Sequence, residues 1–373
     1  MRRSVARFPI TVLALVAAVL AAGFLQSQNA MAQPPGPIVW KMQSTWPTAV
    51  LPHISFLELA KKVETLSGGR LKWEILPAGA VVPAFEVLDA VHRGLLDGGH
   101  SVPAYWFGKH RATSLFGTTP GWGMDAFDTA AWYYLGGGEE LYRELLQDRL
   151  KLDVVALHYG YIPSQAFGWF KKDPIKSVAA LKGLKFRTVG LAADLFKEMG
   201  AVLTVIPIGE VVPAIERGVL DAAEVCCPQV DAVLGFPDVL KAHMVWSFHQ
   251  TAEYFELLVN KKKWDDLPPD LKTIVRLAMK AESMDAVWRD IDLQSRHLEE
   301  MVTKKGVRIS FTPGEILTAQ LKAWDRVIER EARADPFFAK VVESQKAWAK
   351  RVVPYRHMFS VPRNTAYDYY WKK

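Results

Sequence analysis

A chain of 373 residues, half of them hydrophobic and 23% charged, has room for two domains and is neither a disordered polymer nor a fibrous repeat. Its 46 Lys and Arg against 40 Asp and Glu give a formal charge of +6, too small and too dispersed for the clustered basic face that nucleic acid requires. Three of the cations, Arg2, Arg3 and Arg7, belong to the N-terminal segment, which leaves 43 basic against 40 acidic side chains.

That segment continues into an apolar run from Phe8 to Leu25 and a small-x-small pattern, Ala30-Met31-Ala32. It predicts a signal peptide over residues 1–32, cut near Ala32/Gln33, and export to the periplasm. A retained anchor helix is the other reading, because the run is near the lower spanning length. Arg2-Arg3 leaves both the general and the twin-arginine export routes open.

Ile38 to Met42 reads as a strand entering the loop Gln43-Ser44-Thr45-Trp46-Pro47. Helical spacing over residues 53–66 ends at Gly68-Gly69, and Leu71 to Leu76 alternates as a strand. A helix over 86–93 and a strand from Leu95 to Ser101 complete a β-α-β-α-β order, which predicts a largely parallel sheet covered by helices. The aromatic, Gly-rich loop after Ser101 offers Tyr105 and Trp106 either as walls of a pocket or as packing against the lobe below. One helix is predicted from Asp125 to Gln147, then a strand from Leu152 to Tyr159.

Gln165 to Phe170 opens a second lobe, in which Leu184 to Arg187 forms a short strand with a cationic tip. A helix from Leu191 to Met199 and a strand from Val202 to Ile206 come next. Residues 210–221, EVVPAIERGVLD, then repeat residues 86–97, EVLDAVHRGLLD, with seven of twelve positions identical at a separation of 124. Helix-Gly-strand units look alike in many α/β proteins. The sharper reading is two similar lobes that end strands at one cleft, with His100 and Glu224 at matching places.

Val245 to Asn260 reads as an extended return strand. Pro269 to about Lys304 has helical periodicity with little interruption, a rod of roughly 50 Å at ~1.5 Å per residue. Val307 to Phe311 is a last strand. Thr312-Pro313-Gly314-Glu315 carries a capping-box pattern for a helix to Ala334. A surplus helix over 336–353, with Phe337, Phe338 and Trp348, either covers the body or meets a second copy.

No phosphate loop, His-Glu-x-x-His or nucleophile elbow occurs, so the chain is expected not to be an enzyme. The residues that strand ends bring to the cleft are Arg187, Glu224 and Gln165. Arg187 suits a planar two-point grip on a carboxylate, or a plain ion pair with Glu224. Glu224, Gln165 and a backbone carbonyl suit a hard cation, calcium or sodium. The only cysteines, Cys226 and Cys227, are adjacent; two thiols and a strained vicinal disulfide are both open.

Taken together, Ser44-Thr45-Trp46-Pro47, Tyr105 to Lys109, Gln165 to Phe170, Gly183 to Arg187 and Asp221 to Pro228 resemble the extracytoplasmic solute-binding proteins of tripartite ATP-independent periplasmic (TRAP) transporters. Within that family the likeness is to the branch binding 2-oxo acids and lactate. The resemblance implies a two-lobed α/β periplasmic-binding-protein fold: lobe I from 38–158 and 246–265, lobe II from 159–245 and 305–335. A long helix, 266–304, would span both lobes, with a C-terminal helical extension at 336–373. It implies substrate contacts from Gln165, Arg187, Gln250, Tyr105 and Trp106. The cation, sodium or calcium, would be held by Glu224, the main-chain oxygen of Val225 and Gln165. The partners implied are a small organic acid, the small and large TRAP membrane subunits, and a second copy of the chain. An ATP-driven importer, a sensor kinase or a secreted enzyme's substrate are the alternatives. The chain departs from the branch at Val225, commonly Trp, and at Phe248-His249-Gln250, where a Trp-Trp-Glu phrase is usual.

Overall fold

The computed structural model describes residues 36–372, so the expected signal peptide lies outside the described residues. The chain opens with β1 (Ile38–Ser44), α1 (Leu51–Leu66), β2 (Leu71–Leu76), α2 (Val87–His92) and β3 (Gly98–Ser101). Two helices, α3 (Ala126–Leu135) and α4 (Gly138–Arg143), precede β4 (Val154–Ile162). The chain then leaves for a second sheet through β5 (Gly168–Phe170), β6 (Lys185–Arg187), α5 (Leu191–Glu198), β7 (Val202–Thr204), α6 (Val211–Glu216) and β8 (Ala222–Ala223). After α7 (Pro228–Val233), α8 (Phe236–Val239) and β9 (Ala242–Val245), it returns as β10 (Glu253–Asn260). The last elements are α9 (Lys261–Asp265), α10 (Pro269–Thr303), β11 (Arg308–Phe311), α11 (Gly314–Ala334), α12 (Pro336–Phe359) and α13 (Arg363–Trp371).

Two sheets result, ordered β2-β1-β3-β10-β4 and β11-β9-β5-β8-β6-β7. Pairs β1/β3, β6/β7, β6/β8 and β9/β11 are parallel, as the alternation of strands and helices predicts. The antiparallel strands are informative. β10 runs against β3 and β4, and β5 runs against β8 and β9. These are the two strands that enter one sheet directly from the other through a short crossing, whereas β11 re-enters the second sheet by way of α10. Parallel strands therefore end at the cleft between the sheets, while β5 and β10 begin there. The two crossings, 163–167 and 246–252, are joined by Gln165 N donating to Gln250 O at 3.1 Å.

Helix α10, 35 residues and about 50 Å long, packs on α1 and β4 beside the first sheet and on α7 beside the second. Its buried Glu282 holds that seat by accepting from Ser55 Oγ at 2.8 Å, with Lys62 Nζ at 2.6 Å and Arg289 Nη1 at 3.2 Å. The first half of α12 buries Phe337, Phe338, Val341, Val342 and Ala349 against α3, α11 and the loops near Phe116. It covers the body of the protein. From Tyr355 onward the aromatic and apolar residues are exposed, as is a stripe along α10: Leu277, Met284, Trp288, Ile291, Leu298 and Val302.

Three local expectations fail for identifiable reasons. The helix from Asp125 to Gln147 breaks at Gly136-Gly137, where Gly137 is left-handed at φ 86°, and resumes as α4 with a widened last turn over Glu144–Arg149. The extended run from Val245 to Asn260 is two strands separated by the crossing, with Trp246 left-handed at φ 67°. Thr312 does not cap α11. Its hydroxyl donates to Val245 O at 2.9 Å, so the chain continues the β11/β9 pairing instead. The box pattern is realised at α3, where Asp125 and Asp128 exchange bonds reciprocally.

Candidate functional site

The repeated phrase folds the same way twice. A left-handed glycine, Gly94 at φ 72° and Gly218 at φ 77°, ends each short helix. Leu95 N donates to Ala90 O and Val219 N to Ala214 O. Asp97 and Asp221 each accept from the backbone of the neighbouring strand, at Lys41 N and Lys185 N. The phrase thus delivers β3 beside β1 and β8 beside β6 in matching registers.

Past the phrase the two copies diverge. His100 is wholly buried, with ring centroids 4.5 Å from Phe56 and 4.6 Å from Trp46. Both its nitrogens lack a hydrogen-bond partner, and burial, reinforced by His53, holds its pKa well below the ordinary value. It is a neutral core residue and does not line the cleft. Glu224 is also buried, 2% exposed, but its carboxylate stands against Arg187 and Gln165, two residues that line a cavity of about 30 Å³ between the two sheets. Gln165, Arg187, Gln250, Tyr105, Val225 and Glu253 line that cavity.

Arg187, 1% exposed at the end of β6, is anchored from both sides. Its Nε and Nη2 donate to Ile206 O at 3.1 and 2.9 Å, and Nη1 donates to Glu224 O at 2.8 Å. The side-chain contact to Glu224 Oε1 is long, 3.5 Å, so the two charges are neighbours rather than a closed pair. Burial pushes the Glu224 carboxyl up. His249, by hydrogen bond and charge, and then the charge of Arg187 outweigh that and leave its pKa below the ordinary value. His249 Nε2 lies 3.7 Å from Glu224 Oε2, while its Nδ1 sits 2.7 Å from Ser247 Oγ. Ser247 Oγ in turn accepts from Gln320 Nε2 at 2.7 Å.

The Gln165 amide has full hydrogen bonding in one orientation only. With Nε2 toward β8 it donates to Glu224 Oε2 at 2.8 Å and Val225 O at 3.3 Å, and its Oε1 accepts from Gln250 Nε2 at 3.1 Å. Turned over, its carbonyl oxygen stands at those same distances from two further oxygens. Three oxygens that close repel unless a cation lies among them, so the donor set fits a hard metal ion. Among the described residues no group of three His, Cys, Asp or Glu side chains is arranged for a metal. A site here depends on amide and main-chain oxygens.

Tyr105 lines the cavity as expected, its phenol kept neutral by burial, which pushes its pKa up to about 12. Trp106 does not. Its ring is buried behind the loop and its Nε1 donates to Glu256, because an indole N–H in the core needs an acceptor. Cys226 and Cys227 are free thiols, and Cys226 contributes to the wall. Sequence reasoning missed His249 and Glu253 as site residues. Their signal was the crossing itself, since both lie just where β10 begins at the cleft. Gln229, at the start of α7, closes the rim: its Oε1 accepts from Leu51 N at 3.0 Å and its Nε2 donates to Ala49 O at 3.2 Å.

Residues 42–333 match the family model for DctP, bacterial extracellular solute-binding protein, family 7. The chain is 31% identical over 313 residues, 84% of each chain, to a monocarboxylate 2-oxoacid-binding periplasmic protein of Nostoc. It is similar to a TRAP periplasmic solute-binding protein of Pseudoalteromonas atlantica with bound sodium and pyruvate: TM-score 0.82, 30% identity, 90% of this chain and 99% of that one. A TRAP solute-binding protein of Bordetella bronchiseptica, a mixed-occupancy dimer with calcium and picolinate, gives a TM-score of 0.83 at 27% identity, covering 90% and 97%. The chain belongs to the DctP family of bacterial extracellular solute-binding proteins, the periplasmic, non-catalytic receptors of TRAP transporters.

Proposed function

We propose that the protein binds a small 2-oxo or 2-hydroxy monocarboxylate of about pyruvate's size, together with sodium or calcium, and hands it to the TRAP membrane subunits. The observation that carries this reading is a buried guanidinium that lines a cavity of about 30 Å³, with a buried carboxylate from the adjacent strand set beside it at 3.5 Å. That is room for roughly two waters, less than pyruvate with its cation occupies, so the walls must part to seat even the smallest such acid. Release of the long 3.5 Å contact to Glu224 frees an Nη1 hydrogen beside an uncommitted Nη2 hydrogen. Arg187 then grips the ligand carboxylate end-on. Gln250 and Tyr105 bind its remaining oxygens. Glu224, Val225 O and the Gln165 carbonyl oxygen hold the cation, which neutralises the negative charges meeting in a water-poor chamber. The relatives that carry pyruvate with sodium, or picolinate with calcium, support this combination.

The mature chain starts near Gln33 after signal cleavage. The exposed stripe on α10 recurs at spacings of seven, with Leu277, Met284, Ile291 and Leu298 in one row. That stripe, the exposed tail helix and the dimer of the Bordetella relative support a homodimer. Native mass spectrometry of the purified protein tests the whole reading. It should show one small organic acid and one sodium or calcium per chain, at a dimer's mass. A protein that shows no bound acid and gives no calorimetric heat with pyruvate would overturn it.

A further inference from the structure

Glu253 is a carboxyl of the cavity wall that holds neither the proposed ligand nor the proposed cation. It is fully enclosed at the start of β10, and its carboxyl fills the space where a side chain on residue 117 would stand. A Cβ on Gly117 would come within 1.8 Å of Glu253 Oε1. Oε1 accepts from Tyr254 N at 3.1 Å. Oε2 accepts from Thr118 Oγ1 at 3.4 Å and from Gln250 Nε2 at 3.0 Å. Gln250 Nε2 is also the donor to the Gln165 oxygen at 3.1 Å. Both its hydrogens are consumed, and the buried Gln250 Oε1 has no partner. An amide with one end doubly used and the other idle is poised to turn over.

Reversal of Gln165, which brings its oxygen to Glu224 for a cation, forces the rest. The Gln165 nitrogen would then meet the Gln250 nitrogen, donor against donor. Gln250 relieves the conflict by turning as well, so that its idle oxygen accepts from Gln165. That same oxygen now faces Glu253 Oε2, acceptor against acceptor, unless Glu253 carries a proton and donates it. The groups around Glu253 favour that proton. Burial, then the charges of Glu256 and Glu224, raise its pKa to about 8 against the pull of the Tyr254 N–H and the Thr118 hydroxyl; the phenols of Tyr105, Tyr142 and Tyr254 also face it.

We propose that Glu253 is a positioning residue: through Gln250 it sets whether Gln165 shows Glu224 an N–H, which closes the cation place, or a carbonyl oxygen, which opens it. This rests on the assignment of Gln165, Glu224 and Val225 O to the cation. A carboxylate-lined metal site ordinarily releases protons when it fills. The relay demands the reverse. Protein freed of metal with a chelator, titrated with calcium chloride and separately with sodium chloride at pH 8 in buffers of different ionisation enthalpy, should take up about half a proton per ion. Glu253→Gln, whose amide presents either an N–H or an oxygen, should bind the ion without uptake. Gln250→Met should abolish uptake although Glu253 remains titratable. Proton release, or uptake that survives Gln250→Met, would overturn the relay alone. No cation heat in a protein that still binds pyruvate would overturn the cation assignment and the relay together.

Discussion

The two copies of the helix-Gly-strand phrase show how one scaffold serves a core in one place and a ligand in another. The correspondence extends past the phrase to the strand beside it. Gln43 on β1 donates through Nε2 to Val82 O, and Arg187 on β6 donates to Ile206 O, an acceptor displaced by the same 124 positions as the phrase. Gln43 spends its remaining capacity on Val81 N and Val82 N and is closed off. Arg187 makes the equivalent anchor and still has its outer nitrogens to present beside Glu224. The partner across the strand differs likewise, a neutral histidine among aromatic rings in one lobe and an ionised carboxylate in the other. Function entered this fold at two side chains, while the backbone hydrogen bonds stayed alike.

Making the second lobe resemble the first should have the largest effect. Arg187→Gln can keep the bond to Ile206 O but loses the charged fork, so pyruvate affinity should fall by about 3–5 kcal/mol, at least a hundredfold, with an unchanged circular dichroism spectrum. Retained affinity in calorimetry would remove Arg187 from the site. Glu253, which enters the cavity wall from the first lobe and lies outside the repeated phrase, comes next. Its folded pKa, about 8, lies above the ordinary carboxyl value, so its contribution to stability is full in acid and is lost as pH rises toward 8. Glu253→Gln should therefore stabilise the protein by roughly 3 kcal/mol at pH 7 and by little at pH 4.5, read from urea unfolding at the two pH values. A gain that is larger in acid would reverse the assignment. The smallest effect tests the likeness itself. Gly94→Ala and Gly218→Ala both place a side chain at a positive φ in open surroundings, and each should cost about 1 kcal/mol, nearly equally. A large inequality in their melting shifts would mean that the two turns are not mechanical equivalents.

Most of the architecture was legible because each element announced itself locally. The glycine stops, the alternating strands and the uninterrupted periodicity of α10 all lie where the periodic pattern placed them, give or take a few residues. Arg187, Glu224, Gln165 and Gln250 are brought together as the strand ends and the family likeness implied. What escaped was settled by distant partners. Whether Gly136-Gly137 breaks a helix, and whether Thr312 caps one or extends a strand pair, depends on contacts far off in sequence. Glu253 and Glu256 sit in an otherwise apolar run that reads as a return strand, and nothing local names their partners. In fact β10 is buried on both sides, so each acid had to find its own partners, Glu256 in Trp106 and Tyr142 and Glu253 at the cavity wall.

The bond between Gln165 and Gln250 joins the two crossings at the very residues that face the cavity. The fulcrum and the cargo are thus the same place. Turning either side-chain amide over exchanges an oxygen for a nitrogen in place, while the main-chain bond between the same two residues stays as it is. The strut between the lobes is therefore indifferent to which way the amides of the chamber point.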